Sequence, residues 1–293
     1  MQRPFTTQPE FFVTSADLEH PSLHGLDGAE AVRDWNKIED LMAGIYAGKT
    51  GRRGYPLLTL LRASLLGIWY RLSDVELAQT LFRDLLYRKF CRLELGSDVP
   101  DATTIGRFRQ QLVEHGLWDI LLGEMNRQLE AKHIIMTEGR INIIDATPVE
   151  AAQSGRGKDA NDEPTRDPEA GWHVKADSRG NMKSTYGYSI HTGVDEDGFI
   201  HRHSVTPVNA HDSTERDTLL LRIFRRATCG KMDRFGINDQ VQRKGYRGHP
   251  FSDAKRLRNN TIALTYPGGE RSFTTYKSRY GLARIRLMRL AKT

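Results

Sequence analysis

A chain of 293 residues, with 38% hydrophobic and 27% charged residues, is long enough for two domains and has an ordinary globular composition. It contains no run of about 18 apolar residues, and its first residues lack the apolar stretch of a secretory signal, so we expect neither a membrane span nor export. The two cysteines, Cys91 and Cys229, show no metal or redox spacing and fit a reducing, cytoplasmic compartment.

The net charge of +6 is divided unevenly along the chain. Residues 221–293 hold 18 Lys and Arg against 4 Asp and Glu, a balance of +14, whereas residues 1–220 hold 25 against 33, a balance of −8. Such a basic segment favours binding to a polyanion, because neutralising phosphates releases counterions and gives affinity without sequence preference. The alternatives are a solvated basic surface and a segment translated in the wrong reading frame.

Residues 1–135 are predicted to form a mainly helical domain. Apolar residues recur every three or four positions from Ala29 to Ala47, which predicts a helix. The segment from Pro56 to Arg71 is apolar on most sides, as in a helix buried within a bundle. Ser73 opens a capping box, and Asp101 is placed to cap a further helix.

Residues 136–293 are predicted to form a second domain that contains strands. The segment from Arg140 to Val149 is rich in β-branched residues and is predicted as a strand that Pro148 ends. A polar stretch rich in Asp, Gly, Pro and Lys follows, and we predict a mobile loop over residues 153–177.

Two further strands are predicted from Tyr186 to Val194 and from Phe199 to Val208. Between them, the sequence Asp195-Glu196-Asp197-Gly198 is typical of a hairpin, because Asp-Gly favours the tight turn. Thr261 to Tyr266 is predicted as one more strand, and Glu270 to Leu290 as a final basic helix. Strands combined with helices predict an α/β fold for this half of the chain.

Asp145 is the first candidate functional residue. It follows the apolar run from Ile141 to Ile144, and functional residues of α/β sheets gather at strand ends. An acid in that position is costly to bury unless it is paired or binds a cation. The alternative is an Asp that caps the following turn.

Four segments resemble blocks of one protein family and occur in the same order as in that family. They are Pro100–Arg109, Ile143–Ala151, Lys183–Asp195 and Thr206–Ser213. Together they resemble bacterial insertion-sequence transposases of the DDE type, specifically the insertion sequence five family. The resemblance covers residues 20–290, and several independent blocks make it more specific than any single motif.

The resemblance implies an α/β, RNase H-like catalytic domain, with a mixed sheet flanked by helices, after the helical N-terminal domain. Three carboxylates of such a domain hold two divalent cations, Mg²⁺ or Mn²⁺, which favour oxygen ligands. The implied reaction is hydrolysis at the transposon ends followed by strand transfer. The implied partners are double-stranded DNA, as terminal inverted repeats and target, and a second copy of the chain in a homodimer, in the nucleoid and away from membranes.

The resemblance also assigns residues. Asp145 corresponds to the first acid and Glu270 to the third, both catalytic and metal-binding, although the helix dipole alone also favours an acid in a first turn. Lys277 follows Glu270 by seven positions, the family's spacing. Seven residues are two helical turns, so both share one helix face, and the ammonium would contact a phosphate. The expected DNA-binding residues are Lys277, Arg271, Arg279, Arg243, Lys244 and Arg247.

The second acid of the family is missing from its expected place. It should end a strand near residues 221–232, but no Asp or Glu occurs from Thr218 to Met232. The segment near 219–232 is aberrant, being short and basic, and a local frameshift with a deletion would produce this pattern. Possible substitutes, none of them in a strand-end context, are Asp212, Asp217 and Asp233.

The sequence therefore favours a DNA transposase whose cleavage and strand transfer are impaired in this copy. The alternative is a catalytically inactive DNA-binding remnant that occupies transposon ends. A metal-dependent hydrolase of small phosphate esters is disfavoured, because a small substrate needs no extended basic surface.

Overall fold

The computed structural model of the chain describes two compact units, Met1–Lys132 and His133–Thr293. No helix within the described ranges is long and apolar enough to cross a membrane. The described residues are 19–46, 54–135, 143–152, 167–176, 180–195, 197–210, 215, 219, 252–263 and 267–284, with the backbone alone for 267–272.

The first unit is built from helices. One 3₁₀ helix, Pro21–His24, precedes the first α-helix, and another, Ala43–Tyr46, follows the second. The mainly helical N-terminal region expected from the sequence is therefore confirmed. Its α-helices, within the described part, are α1 Asp27–Val32, α2 Trp35–Met42, α3 Leu57–Trp69, α4 Asp74–Arg83, α5 Leu85–Cys91, α6 Ala102–Glu114 and α7 Leu117–Ala131.

Side-chain caps begin two of these helices, as the sequence predicts. At α4, the Ser73 hydroxyl accepts the N–H of Glu76 at 3.2 Å, and the Glu76 carboxylate accepts the N–H of Ser73 at 2.8 Å. This reciprocal pair is a complete capping box. At α6, the Asp101 carboxylate accepts the N–H of Thr104 at 2.6 Å. Both caps satisfy backbone donors that would otherwise lack partners.

The single helix predicted from Ala29 to Ala47 is wrong, because the chain breaks between α1 and α2. Arg33 is extended, with φ −113° and ψ 137°. Asp34 is also extended and accepts the N–H of Lys37 at 3.4 Å, so it caps a new helix. The apolar periodicity continues across the break, which is why periodicity alone does not reveal it.

Helix α3 is the buried centre of the first unit. Residues Leu57–Ser64 and Leu66 are buried, and the helix contacts α2, α4, α5 and α6. This confirms the expectation that a helix apolar on most sides lies within a bundle.

Arg62 is the one charged residue in the buried part of α3, with 1% of its surface exposed. Its guanidinium donates to the carbonyl oxygen of Phe90 at 2.7 Å and to the carboxylate of Glu30 at 2.9 Å. Its Cζ lies 4.2 Å from the centroid of the Trp35 ring. Burial lowers the pKa of Arg62, and the hydrogen bond to Glu30 opposes that shift. The paired charge thereby links α1, α2, α3 and α5.

We expect Arg62→Ala to lower the free energy of unfolding by about 3 kcal/mol, because Glu30 and the Phe90 carbonyl lose their partner in a desolvated place. Arg92→Ala is the matched control. Arg92 donates to the same Glu30 at 2.9 Å, but its side chain is 66% exposed, so its loss should cost about 0.5 kcal/mol. Urea unfolding of the full chain, followed by tryptophan fluorescence, measures both. Equal losses for the two variants would contradict this account.

The second unit contains, in its described part, an antiparallel sheet and two helices. Strand β3 pairs with β2 over Met182–Gly187, with β1 over Gly187–Val194 and with β4 over Tyr188–Val194. Because a strand has two edges, β1 and β4 lie on opposite edges of β3. The elements are β1 Ile143–Glu150, β2 Gly171–Ala176, β3 Met182–Val194, β4 Ile200–Pro207, α8 Asp253–Ala263 and α9 Pro267–Arg279.

The hairpin predicted at Asp195 is confirmed, since β3 and β4 are antiparallel neighbours joined at that point. The Asp195 carboxylate accepts the N–H of Asp197 at 3.1 Å and the N–H of Phe199 at 2.9 Å. Its other oxygen lies 3.0 Å from Nε2 of His201. Gly198 has φ +90°, a conformation that other residues rarely adopt.

The expectation that Pro148 ends its strand is wrong, because β1 continues through Pro148 to Glu150. The backbone amides of a strand point alternately to its two edges. Ala151 donates its N–H to Tyr186 of β3 at 2.9 Å, and Glu150 donates away from β3, to Ala283. Pro148 therefore falls on the outer edge of β1, where its missing N–H removes no bond to β3.

The mobile loop predicted over residues 153–177 is wrong for residues 171–176, which form β2. Residues 153–166 and 177 lie outside the described part of the chain. The strand is easy to miss because Trp172 and Val174 are exposed, so no buried face marks it. Backbone pairing with β3 holds it, and the Tyr186 hydroxyl donates to the carbonyl oxygen of Asp167, just before β2, at 2.7 Å.

Two expectations near the C-terminus also need correction. The strand predicted from Thr261 to Tyr266 is wrong for residues 261–263, which end α8. There the Thr261 hydroxyl donates to the carbonyl oxygen of Leu257 at 3.1 Å, so the β-branched residue is accommodated in the helix. The helix predicted from Glu270 to Leu290 is α9, which ends at Arg279, because Gly281 at φ +71° turns the chain. Residues 285–290 lie outside the described part.

Gly187 lies at the centre of the sheet, where it pairs with both Glu150 of β1 and Gly171 of β2. A Cβ atom added there would overlap the carbonyl oxygen of Val149 and would lie 2.8 Å from the backbone nitrogen of Ala151. Both neighbours are backbone atoms of the β1 segment and cannot rotate away. The position therefore requires glycine.

Gly187→Ala should destabilise the second unit by about 3 kcal/mol or more, because β1 must separate from β3 to admit the methyl group. Gly123→Ala is the control. Gly123 lies within α7 with open space around its Cα, so alanine there should stabilise the protein by about 0.5–1 kcal/mol. Thermal unfolding followed by circular dichroism tests both. An unchanged midpoint for Gly187→Ala would show that the strands are not in this register.

Candidate active site

Asp145 lies in β1, third from its start, rather than at a strand end as the sequence suggested. It is half-buried, and one of its carboxylate oxygens accepts the N–H of Ala146 at 2.8 Å. In the sheet register Asp145 stands directly opposite Thr192 of β3. A local turn cap is therefore not its role, because the chain continues as a strand on both sides of it.

One face of the sheet carries both Asp145 and the core of the second unit. Residues two apart along a strand share a face, so Asp145 lies on the same side as Val149, and Thr192 on the same side as Ile190 and Tyr188. Val149, Tyr188 and Ile190 are buried, and Val205 and Leu282 pack against them. The acid thus projects from the edge of an apolar, covered surface.

Helix α9 contacts β1 and contains Glu270. The chain that follows α9 is tied to the end of β1: the N–H of Glu150 donates to the carbonyl oxygen of Ala283 at 3.2 Å. The guanidinium of Arg284 donates to the carbonyl oxygens of Ala151, at 3.2 Å, and Ala152, at 3.1 Å. The two elements that bear the predicted acids are therefore packed together. The side chain of Glu270 lies outside the described part.

Two of the predicted DNA-binding residues lie on the last turn of α9. Lys277 is half-buried, and its pKa is lowered, first by burial and then by the nearby positive charge of Lys183. Arg279 is exposed, with its Cζ 5.9 Å from the centroid of the Tyr280 ring. Arg279 is therefore open to solvent, whereas Lys277 is partly covered.

The remaining predicted residues are not described. Arg243, Lys244, Arg247 and the side chain of Arg271 lie outside the described part, as do the possible substitute acids Asp212, Asp217 and Asp233. Of residues 219–232, the segment predicted to be aberrant, only Leu219 is described. It is buried, and its N–H donates to the carbonyl oxygen of Glu215 at 3.1 Å.

Asp145 and the hydroxyl of its cross-strand partner supply oxygen atoms, the donor type that hard divalent cations favour. Within the described residues no group of three or more His, Cys, Asp and Glu side chains could hold a metal ion. The side chain opposite Asp145, however, is the Thr192 hydroxyl, which is buried without a hydrogen-bond partner in the described structure. A carboxylate oxygen is a ligand that Mg²⁺ and Mn²⁺ favour, and a neighbouring hydroxyl can hold the second oxygen of such a carboxylate.

Sequence reasoning did not single out two polar groups of the sheet. Thr192 occupies an otherwise apolar alternation, Tyr188, Ile190 and Val194, and that pattern is the signal that could have revealed it. Asp167 is buried and accepts the Tyr188 hydroxyl at 2.7 Å. Burial, followed by this hydrogen bond, raises the pKa of Tyr188. No local pattern marks Asp167, because the contact joins distant parts of the chain.

Two family models match the chain. "Transposase domain (DUF772)" matches residues 16–111, and "Transposase DDE domain" matches residues 137–292. No solved structure matches the chain.

The two matches follow the division of the chain into a helical unit and a unit that contains the sheet. The chain belongs to the DDE transposase family, whose domain model covers more than half of it. It is an insertion-element transposase, an enzyme that cleaves DNA and transfers strands with the help of a divalent metal ion.

Arg284→Ala should loosen the attachment of the α9 segment to β1. The loss of two hydrogen bonds, worth about 1–1.5 kcal/mol net, should speed amide exchange at Glu150 about tenfold, because local opening becomes more frequent. Hydrogen–deuterium exchange of the full chain measures this. Arg279→Ala is the control and should leave Glu150 unchanged. Unaltered exchange in Arg284→Ala would mean that other contacts hold α9 against β1.

Proposed function

We propose that the chain is a member of the insertion sequence five family whose C-terminal half has an RNase H-like fold. The antiparallel arrangement of β1, β3 and β4, with an acid on β1 and a helix packed against that strand, supports this fold. The proposed organisation assigns residues 1–135 to DNA-end binding or assembly and residues 136–293 to catalysis. The separation of the chain into two compact units is consistent with this assignment.

The observation that best supports a catalytic role for Asp145 and Glu270 is the packing of α9 against β1. Each acid alone has a simpler explanation, but two acids on contacting elements are a candidate pair of metal ligands. Asp145 and Glu270 would hold the cation, Mg²⁺ or Mn²⁺, with two ions in an intact site. Such cations stabilise the charge that develops on the attacking and leaving oxygens of a phosphodiester.

The chain's own residues would contribute orientation and charge. The Ala146 N–H holds one oxygen of Asp145, which limits the rotation of the carboxylate. Lys277, seven residues after Glu270 on α9, would contact a phosphate of the bound strand. Arg271, Arg279, Arg243, Lys244 and Arg247 would add sequence-independent contacts to double-stranded DNA, both terminal inverted repeats and target. In a homodimer bound to both transposon ends, each subunit would supply one active site for one end.

We propose that catalysis is impaired in this copy. The strand-end Asp expected near residues 221–232 is absent from the sequence. Loss of one ligand should weaken metal binding and misplace the reacting groups, which costs about a thousandfold or more in rate. DNA binding rests on many distributed charges and should survive, so an inactive DNA-binding remnant is the second candidate function.

Cleavage of a labelled linear DNA that carries the element's own ends, with Mn²⁺ or Mg²⁺ and with EDTA as control, tests this proposal. We expect salt-sensitive binding without detectable nicking. Nicking that Asp145→Ala abolishes, and that Asp253→Ala preserves, would show that a substitute second acid exists and that the copy is active. Asp253 is a suitable control because it is an exposed acid in the first turn of α8. Absence of DNA binding would overturn the remnant function as well.

A further inference from the structure

A row of three polar residues crosses the face of the sheet that carries the core. Asp145 of β1 stands opposite Thr192 of β3, and Thr192 stands opposite His203 of β4. The row on one side is Ile143 and Val194, and the row on the other is Thr147, Ile190 and Val205. The polar row is therefore an exception on a mainly apolar face.

Thr192 is the central residue of this row and the most enclosed. It is 2% exposed, and its hydroxyl has no hydrogen-bond partner among the described residues. A buried hydroxyl without a partner is unfavourable, whereas valine would fill the same space in a strand without that cost. Threonine at this position is therefore less stabilising than valine would be, and a functional role for the hydroxyl would explain its presence.

The residue that carries this hydroxyl is the direct cross-strand partner of Asp145. The N–H of Ala151 donates to the carbonyl oxygen of Tyr186, and the amides of β1 point toward β3 at every second residue. Asp145 lies six residues before Ala151, so Asp145 and Thr192 form a hydrogen-bonded pair of the antiparallel ladder. The Cα atoms of such pairs lie about 5.5 Å apart, and their side chains stand side by side on one face. Side chains in such a cross-strand pair are the ones that interact across a sheet, so rotation of the Asp145 side chain is the movement that would bring one of its oxygens to the Thr192 hydroxyl.

We propose that Thr192 is a positioning residue for Asp145, whose hydroxyl donates a hydrogen bond to the Asp145 carboxylate when a divalent cation is bound. This inference rests on the proposed role of Asp145 as a metal ligand. A ligand whose second oxygen is held by a neighbour keeps its orientation, and loss of such a neighbour weakens metal binding about 10- to 100-fold. The hydroxyl is without a partner in the present arrangement because it is placed for the metal-bound one.

Mn²⁺ binding to the full chain, measured by electron paramagnetic resonance of the free ion, tests the proposal without reference to activity. Thr192→Val should raise the dissociation constant for Mn²⁺ about tenfold or more, and Thr192→Ser, which keeps the hydroxyl, should restore binding to within about threefold. The melting temperature of metal-free Thr192→Val should equal or exceed that of the parent chain, because an unpartnered hydroxyl is removed. If Thr192→Val binds Mn²⁺ more weakly but is as stable as the parent chain, the weaker binding is due to lost positioning of Asp145 and not to misfolding.

Two further variants separate the failure of this inference from failure of the proposed site. Thr185→Val lies on the same strand but on the opposite face, and it should leave Mn²⁺ binding unchanged. Asp145→Asn should abolish the binding. If Asp145→Asn binds Mn²⁺ like the parent, or the parent binds none, the proposed metal site is wrong and the role of Thr192 falls with it. If Asp145→Asn loses binding while Thr192→Val retains it, the role of Thr192 alone is overturned.

Discussion

The fold of the second unit depends on the pairing of β3 with the other three described strands. β3 is the longest strand described, and its two halves are occupied differently, by β2 at one end and by β1 and β4 at the other. Gly187 permits this arrangement, because it stands where β1 must pass close to β3 and where any side chain would strike the backbone. The register that results places Asp145 opposite Thr192 and directs both onto one face.

The attachment of α9 to β1 is the second constraint, because it fixes the position of the helix relative to the sheet. Gly281 turns the chain, and Ala283 and Arg284 then bond to residues 150–152 at the end of β1. A helix held by the backbone of the neighbouring strand cannot drift far from it. The element that carries Asp145 and the element that carries Glu270 are thereby held in contact, and the proposed metal site depends on this contact.

The first unit consists of several short helices that pack around one buried helix. Short helices are marginal on their own and depend on packing. Caps at Ser73, Asp34 and Asp101 define where three of them begin, and Arg62 of the buried helix joins three of them through contacts to Glu30, Phe90 and Trp35. A charge inside an otherwise apolar core gives directional contacts that apolar packing does not provide.

The sequence by itself determined the family, the helical character of the first unit, the caps at Ser73 and Asp101, and the hairpin at Asp195. These features depend on residues that are close in the chain, or on motifs whose order is preserved. Tertiary structure decided the rest. Pro148 continues a strand because its nitrogen faces the outer edge, β2 forms without a buried face because β3 offers it a partner, and Thr261 ends a helix because its hydroxyl is satisfied there. The role suggested for Thr192 also emerged only from the register. Local sequence propensity does not indicate which strand edge, sheet face or partner a residue will contact, because pairing between distant segments decides this.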